Sequence, residues 1–386
     1  MRHALVNARI LIGMDFHEGL ALVIADGLIS ALVCADDPQL VGIDTYDCKG
    51  HTLLPGFIDV QVNGGGGVLF NDAPTVDGIK AIANAHRRFG TTGLLPTLIS
   101  DDQDVIARAI EAADAAQLEG VPGILGLHIE GPFINIERKG THDQDKFRVL
   151  DPSDLALLCS LKHGKTLVTL APERNSTALI RELVQHGIIV SAGHTNATCA
   201  EMQTALDAGL SGFTHLFNAM SPLTNREPGA VGAALYDAQS WCGIIVDGFH
   251  VDSITLRIAL RCKPLDRFML VTDAMPNLGT GATKFQLQGK TVFVENGRCV
   301  DENGVLSGSA LDMASAVRNA VDLLGVSLAQ AANMASSHPA HFLGLGDQLG
   351  SIAPGYQADL VLVDDSIGVI NTWIGGNPPT ENLHQR

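Results

Sequence analysis

Four side chains with a shared chemistry stand where apolar runs stop. Glu130 follows Gly123–Ile129, His194 follows Ile188–Ala192, His215 lies in Gly212–Leu216, and Asp273 follows Phe268–Thr272. A short apolar run that ends on a polar group is how a buried strand delivers that group to the rim of a site. One such glutamate carries little weight, because Glu at a strand end usually opens a solvated loop. Any single histidine among the fourteen present is more often structural. Together, however, Glu130, His194 and His215 form a ligand set for one divalent ion, since catalytic zinc takes three protein ligands and keeps a water in the fourth position. The pKa of that water falls to about 7. Asp273 is then free to take its proton and later to deliver it to a leaving group.

Neighbouring residues refine this picture. His128 shares the inward face with Glu130 by alternation along a strand and reads as a supporting or core histidine outside the ligand set. Asp59, Gln61 and Asn63 follow the first apolar run, and His250 lies just beyond the seventh. The glycines Gly64–Gly67 lack the Lys-Ser/Thr of a phosphate loop. They serve close backbone approach instead.

Residues so far apart in sequence need a fold that converges them. Eight apolar runs alternate with helix-like segments: Leu53–Val60, Gly93–Ile99, Gly123–Ile129, Thr166–Leu170, Ile188–Ala192, Gly212–Leu216, Cys242–Val246 and Phe268–Thr272. They are too apolar to have one wet face, so they read as parallel strands buried on both sides. The intervening helices are expected over Val76–Arg88, Asp102–Ala116, Ser153–Leu161, Ser176–His186, Ala197–Ala208 and Ser253–Arg261. Eight such units predict an α/β protein with a (β/α)8 TIM-like barrel, whose C-terminal strand ends meet at one face. A hairpin, Phe285–Val294 with Arg298–Val305, interrupts the pattern before helices Leu311–Leu324 and Leu328–Ser336. Both chain ends read as short strands. Residues 1–50 and 348–386 are therefore expected to form one small β-sandwich-like domain, leaving 51–347 as the catalytic barrel.

Composition bounds the partners. The 386 residues are 46% hydrophobic and 17% charged, with a formal net charge of −17. No Lys/Arg run offers a nucleic-acid or membrane footprint, whereas a small anionic substrate needs only one or two local cations. Seven scattered cysteines without a CxxC pair point to reduced thiols in a cytoplasmic enzyme. No apolar segment reaches the roughly 18 residues of a membrane span.

Motifs spread over nearly the whole chain carry a resemblance. Pro55–Gly64 (PGFIDVQVNG) and Gly350–Asp364 (GSIAPGYQADLVLVD) resemble the amidohydrolase superfamily. HIEGPF, KGTH, SAGHTNAT, THLFNAM, DGFHVD, LVTDAM and DENGVLSGS, in order, are similar to the N-acetylglucosamine-6-phosphate deacetylase family. That resemblance implies hydrolysis of a sugar-phosphate acetamide in amino-sugar metabolism. Glu130, His194 and His215 would hold the metal, Asp273 would act as acid and base, and His142 would help at the carbonyl oxygen. The implied substrate contacts are Thr141, His142, Asn218, Ala219, Arg226, Asp247, Gly248, Phe249, His250, Leu306, Ser307 and Gly308. A homodimer is also implied, with Arg226 reaching the neighbouring subunit's phosphate. Many superfamily members carry His-x-His after strand one. Here Gln61 and Asn63 stand in those places, and neutral amides are poor metal ligands. The expectation is one divalent ion per subunit, Zn2+ first, with Fe2+ or another ion as alternatives. The rival readings are the N-acetylgalactosamine 6-phosphate epimer and a non-catalytic binding protein.

Overall fold

The computed structural model describes residues 2–379, so Met1 and positions 380–386 of the expected small domain lie outside it. The barrel strands are β1 (Phe57–Val62), β2 (Thr91–Ile99), β3 (Gly126–Glu130), β4 (Lys165–Leu170), β5 (Ile189–Ala192), β6 (Gly212–Phe213), β7 (Trp241–Ile244) and β8 (Phe268–Leu270). They pair in parallel in that order. Beyond β8 the seam to β1 is closed by backbone bonds: the Asp273 N–H donates to Gln61 O at 3.0 Å, and the Asn63 N–H to Ala274 O at 3.0 Å. The C-terminal ends of the first and last strands are thereby neighbours, which no separation in sequence could convey.

Helices cover the outside, with polar caps where the sequence offers them. Thr75 accepts from Gly78 N at the start of Val76–Arg87. Thr198 and Glu201 form a reciprocal capping box on Cys199–Asp207, just after His194. Two α-helices are not anticipated from the sequence, the short Ser337–Phe342 and Gly229–Tyr236. Gly229–Tyr236 (GAVGAALY) is buried from Gly229 to Leu235, and a helix apolar all round shows no periodicity to detect.

Two further differences have plain causes. The run Leu53–Val60 is two strands: Thr52–Pro55 joins a small outer sheet, and β1 begins at Phe57. Between them Gly56 packs so tightly that an added Cβ would lie 2.2 Å from the Thr92 hydroxyl oxygen. The expected hairpin is instead a four-stranded antiparallel sheet: Lys284–Leu287, Lys290–Glu295, Arg298–Asp301 and Leu306–Ser309. Its first turn is made by Gln288 and Gly289, both at positive φ (47° and 80°).

The chain ends build two small sheets. Arg2–Val6, Leu20–Ala25, Leu28–Cys34 and Asp44–Asp47 form one; Arg9–Ile12, Asp15–His17, Thr52–Pro55, Leu360–Val363 and Val369–Trp373 form the other. Both contribute to a separate apolar core that includes Leu5, Ile10, Leu22, Leu53, Leu360 and Trp373. The architecture is a TIM-like barrel with a small β domain.

One glycine fixes the strand that carries Glu130. Gly126 opens β3 at φ 150°, and a Cβ there would lie 1.9 Å from Lys165 O. Gly126→Ala must push β3 off β4, and we expect it to cost roughly 2–3 kcal/mol in urea unfolding. A native midpoint would contradict this reading of the β3–β4 contact.

Candidate active site

Three buried ligand groups meet at the C-terminal mouth of the barrel. Glu130 Oε1 lies 3.1 Å from His194 Nε2 and 2.9 Å from His215 Nε2, and the two nitrogens are 3.0 Å apart. These are the atoms that form a metal-sized cluster among the described residues. The donor set fits a divalent cation for a specific reason. His194 Nδ1 faces the Arg138 carbonyl at 2.8 Å. A carbonyl only accepts, so the proton sits on Nδ1 and the Nε2 lone pair is free to coordinate. His194 and His215 have left-handed backbone, with φ of 49° and 37°, a conformation that costs on the order of 1–3 kcal/mol for a non-glycine residue. Such strain is kept where the surroundings dictate it.

Asp273 (φ 53°) is held beside the triad by amides. Asn63 Nδ2 donates to its Oδ1 at 2.6 Å and Gln61 Nε2 donates to the same oxygen at 3.2 Å. Gln61 Nε2 also reaches Glu130 Oε2 at 3.1 Å. A carboxylate can only accept, so these contacts fix both amide nitrogens toward it. Behind Asp273, the Ser309 N–H donates to its carbonyl at 2.9 Å, and the Thr272 hydroxyl bonds to buried Asp59. The Leu306–Ser309 strand thus docks directly on the backbone of Asp273.

His142 is buried, and its tautomer is forced. Its Nδ1 receives the Ser100 backbone N–H at 3.3 Å and faces Ser100 Oγ at 2.8 Å. Since a backbone N–H can only donate, Nδ1 accepts and Nε2 carries the proton. Burial, and then the proximity of His194, push this imidazole down to about 3. It is a neutral N–H donor at working pH. His128 is separate from the triad: its ring nitrogens face Thr97 Oγ1 at 3.3 Å and Thr169 Oγ1 at 2.8 Å.

A cavity of about 380 Å3 opens over these groups, a volume suited to a small ligand. Asn63, Glu130, Thr141, His142, His194, His215, Asn218, Ala219, His250, Asp273, Leu306 and Gly308 line it. Gln61 lies beneath, bonded to both carboxylates. Asp247 stands behind His250, its Oδ2 2.6 Å from His250 Nδ1 and its Oδ1 accepting the N–H of Phe249. Gly248, Phe249, Ser307 and Arg226 are outside the lining, and Arg226 is exposed on the loop after β6.

Residue-type reasoning misses three contributors. Ser100, just past β2, sets the His142 tautomer. Glu173, just past β4, accepts from Thr195 Oγ1 at 2.5 Å and from Asn196 N at 2.7 Å, fixing the turn after His194. Ser100 and Glu173 stand just past β2 and β4, the two strands to which the sequence reading assigns no polar group, and that position is the available signal. Arg298 also lines the cavity and gives no signal from its own strand.

Electrostatics ties these parts together. Burial alone would raise Glu130, but hydrogen bonds from His194 and His215 outweigh it and hold the carboxylate well below its ordinary range. Burial alone would lower His215, but Glu130 outweighs it and raises this histidine. A proton therefore competes with a cation for the triad. Zn2+ affinity should rise with pH on the acid side of that raised value, by about tenfold per unit for one displaced proton. Chelator competition from pH 6 to 8 measures it, and a flat profile would contradict the coupling. Glu130→Gln should weaken Zn2+ binding by at least ~100-fold while leaving the unfolding midpoint near native.

Comparison with known proteins follows the same lines. An amidohydrolase family model matches residues 52–381. N-acetylgalactosamine-6-phosphate deacetylase of Shewanella sp. (strain ANA-3) is 43% identical over 96% of this chain and 94% of its own. N-acetylglucosamine-6-phosphate deacetylase of Haemophilus influenzae is 36% identical over 97% of this chain and 99% of its own. The crystal structure of N-acetylglucosamine-6-phosphate deacetylase from Pasteurella multocida superposes with a TM-score of 0.95 at 37% identity, covering 99% of this chain and 100% of that one.

Proposed function

The chain belongs to the amidohydrolase family, and from that premise we propose that it hydrolyses the acetamide of N-acetylglucosamine 6-phosphate to glucosamine 6-phosphate and acetate. One observation carries the reading: a Glu/His/His triad, an amide-anchored carboxylate and an imidazole with a forced N–H face a single cavity. Full-length relatives named as amino-sugar-phosphate deacetylases support it.

A divalent cation held by Glu130, His194 and His215, with zinc favoured by nitrogen and oxygen donors, would acidify water and polarise the acetyl carbonyl. Asp273 accepts the proton as water attacks the carbonyl carbon. His142, keeping its proton, donates a hydrogen bond from Nε2–H to the carbonyl oxygen as negative charge develops there. Asp273 then passes its proton to the nitrogen as the C–N bond breaks, leaving acetate and the amine. Thr141, Asn218, Ala219, His250, Leu306 and Gly308 border the sugar. Asp247 holds His250 in place through its ring Nδ1 and backbone N–H, while Gly248, Phe249 and Ser307 adjoin these contacts behind the lining. We place the enzyme in the cytoplasm, in keeping with seven free thiols. We also read it as a homodimer in which exposed Arg226 reaches the partner's site, and divide it into a small domain (1–50, 348–386), whose outer sheet also takes in the strand Thr52–Pro55, and a barrel (51–347).

A second reading, N-acetylgalactosamine 6-phosphate as the preferred epimer, is favoured by the 43% identity to the Shewanella enzyme. Acetate release from both epimers, compared as kcat/KM, separates them. A higher value for the galacto epimer would replace the first reading, and no release from either would end both.

Asp273→Asn should lower kcat by about 10²- to 10⁴-fold, with KM and bound metal nearly unchanged. A variant with near-native kcat would remove Asp273 from the proton transfers. Burial, then repulsion from Glu130, pushes the Asp273 carboxyl up to about 6, and a bound cation shifts it back toward the carboxylate form. The base must be ionised to act. Activity should therefore fall as pH drops, with the acid limb at or below about 6, and an acid limb above neutrality would contradict the assignment.

A further inference from the structure

The inserted sheet places an unassigned cation at the cavity rim. Asn296 and Gly297 both have positive φ (52° and 83°), the signature of a tight Asn-Gly hairpin turn. The strand that leaves this turn begins at Arg298, and Arg298 lines the same cavity as His250 and Asp273. Its Cζ lies 5.6 Å from the ring centroid of Phe249, the residue before His250. Among the described residues no carboxylate pairs with the Arg298 side chain.

An exposed cation without a partner is ordinary on most surfaces. Here it stands at the mouth of a cavity whose floor holds Glu130 and Asp273, in a chain of net charge −17. That field repels an anionic ligand unless local cations offset it. Away from the triad and His142, the remaining ring donor in the lining is His250, whose Nδ1 is turned to Asp247, leaving Nε2 for a ligand. Arg226 is not part of this chain's own lining, and in the dimer reading above it serves the neighbouring subunit's site, so Arg298 would act beside it. In an N-acetylhexosamine 6-phosphate the acetamide on C2 and the phosphate on C6 lie at opposite ends of the molecule. With the acetamide at the buried triad, the phosphate projects toward the rim.

We propose that Arg298 binds the substrate's phosphate from within the same chain, together with His250, and so makes the inserted sheet a specificity element. A guanidinium forms paired hydrogen bonds with phosphate oxygens that a lysine cannot reproduce. The inference rests on the deacetylase reading above and deepens it.

The test compares wild type, Arg298→Gln and Arg298→Lys on N-acetylglucosamine 6-phosphate and on unphosphorylated N-acetylglucosamine. The Gln variant should raise KM for the phosphorylated sugar by roughly 10- to 100-fold with kcat within about threefold, while kcat/KM for the unphosphorylated sugar stays unchanged. The Lys variant should recover part of the loss. An unchanged KM in the Gln variant, or equal losses on both sugars, overturns the role of Arg298 while leaving the deacetylase reading intact. If the wild type releases no acetate, the deacetylase reading fails. Calorimetric binding of glucose 6-phosphate to wild type and Arg298→Gln then still decides the arginine: a weakened variant supports phosphate binding, and equal affinities overturn it. Arg298 is exposed, so the thermal midpoints of the variants should match wild type.

Discussion

A glutamate buried at the mouth of a barrel loses hydration worth several kcal/mol unless its charge is met by directed partners. Glu130 meets that demand with His194 from the end of β5, His215 from the end of β6 and Gln61 from β1. Much of the architecture can be understood as what is needed to bring those groups to one carboxylate. The parallel strand order puts the ends of β3, β5 and β6 on one face, and the backbone closure from β8 to β1 delivers Gln61. The same closure seats Asp273, whose N–H is bonded to the carbonyl of Gln61. The Glu130/His194/His215 triad and Asp273 are therefore mechanically joined. A change that loosens the seam should disturb both at once.

Gln61 and Asn63 give the site its individual character. A histidine pair at these positions would offer lone pairs to a second cation. The amides instead direct N–H groups at the carboxylates, with Asn63 Nδ2 2.6 Å from Asp273. A carboxylate that accepts such bonds is oriented but still able to take a proton, as a general base requires. Left-handed backbone at His194, His215 and Asp273 shows that this arrangement is imposed by the frame and is not the relaxed preference of each residue.

Most of the barrel is legible in the amino-acid sequence, because parallel strands buried on both faces appear as unbroken apolar runs. Glu130, His194, His215 and Asp273 stand out because each lies in or just after such a run. The relation between residues on different strands is not legible there. Nothing in the sequence around Ser100 says that its N–H fixes the His142 tautomer, nor that Glu173 braces the turn after His194. The helix Gly229–Tyr236 escapes detection because it has almost no polar face. The inserted sheet reads only as a hairpin, and Arg298 acquires meaning only once its guanidinium, just past the turn at Asn296-Gly297, is seen beside the Phe249 ring. Local pattern reveals the elements and their ends, whereas register and closure decide the contacts.

The central claim is that one cation serves this site, held by Glu130, His194 and His215, while Gln61 and Asn63 act as amide anchors. Metal content per chain, measured by mass spectrometry on protein whose acetate release has been titrated against added Zn2+, tests it most directly. The account predicts that activity saturates at about one ion per chain. Saturation at about two would contradict it, because the second ion would have to sit where the amides now hold Asp273.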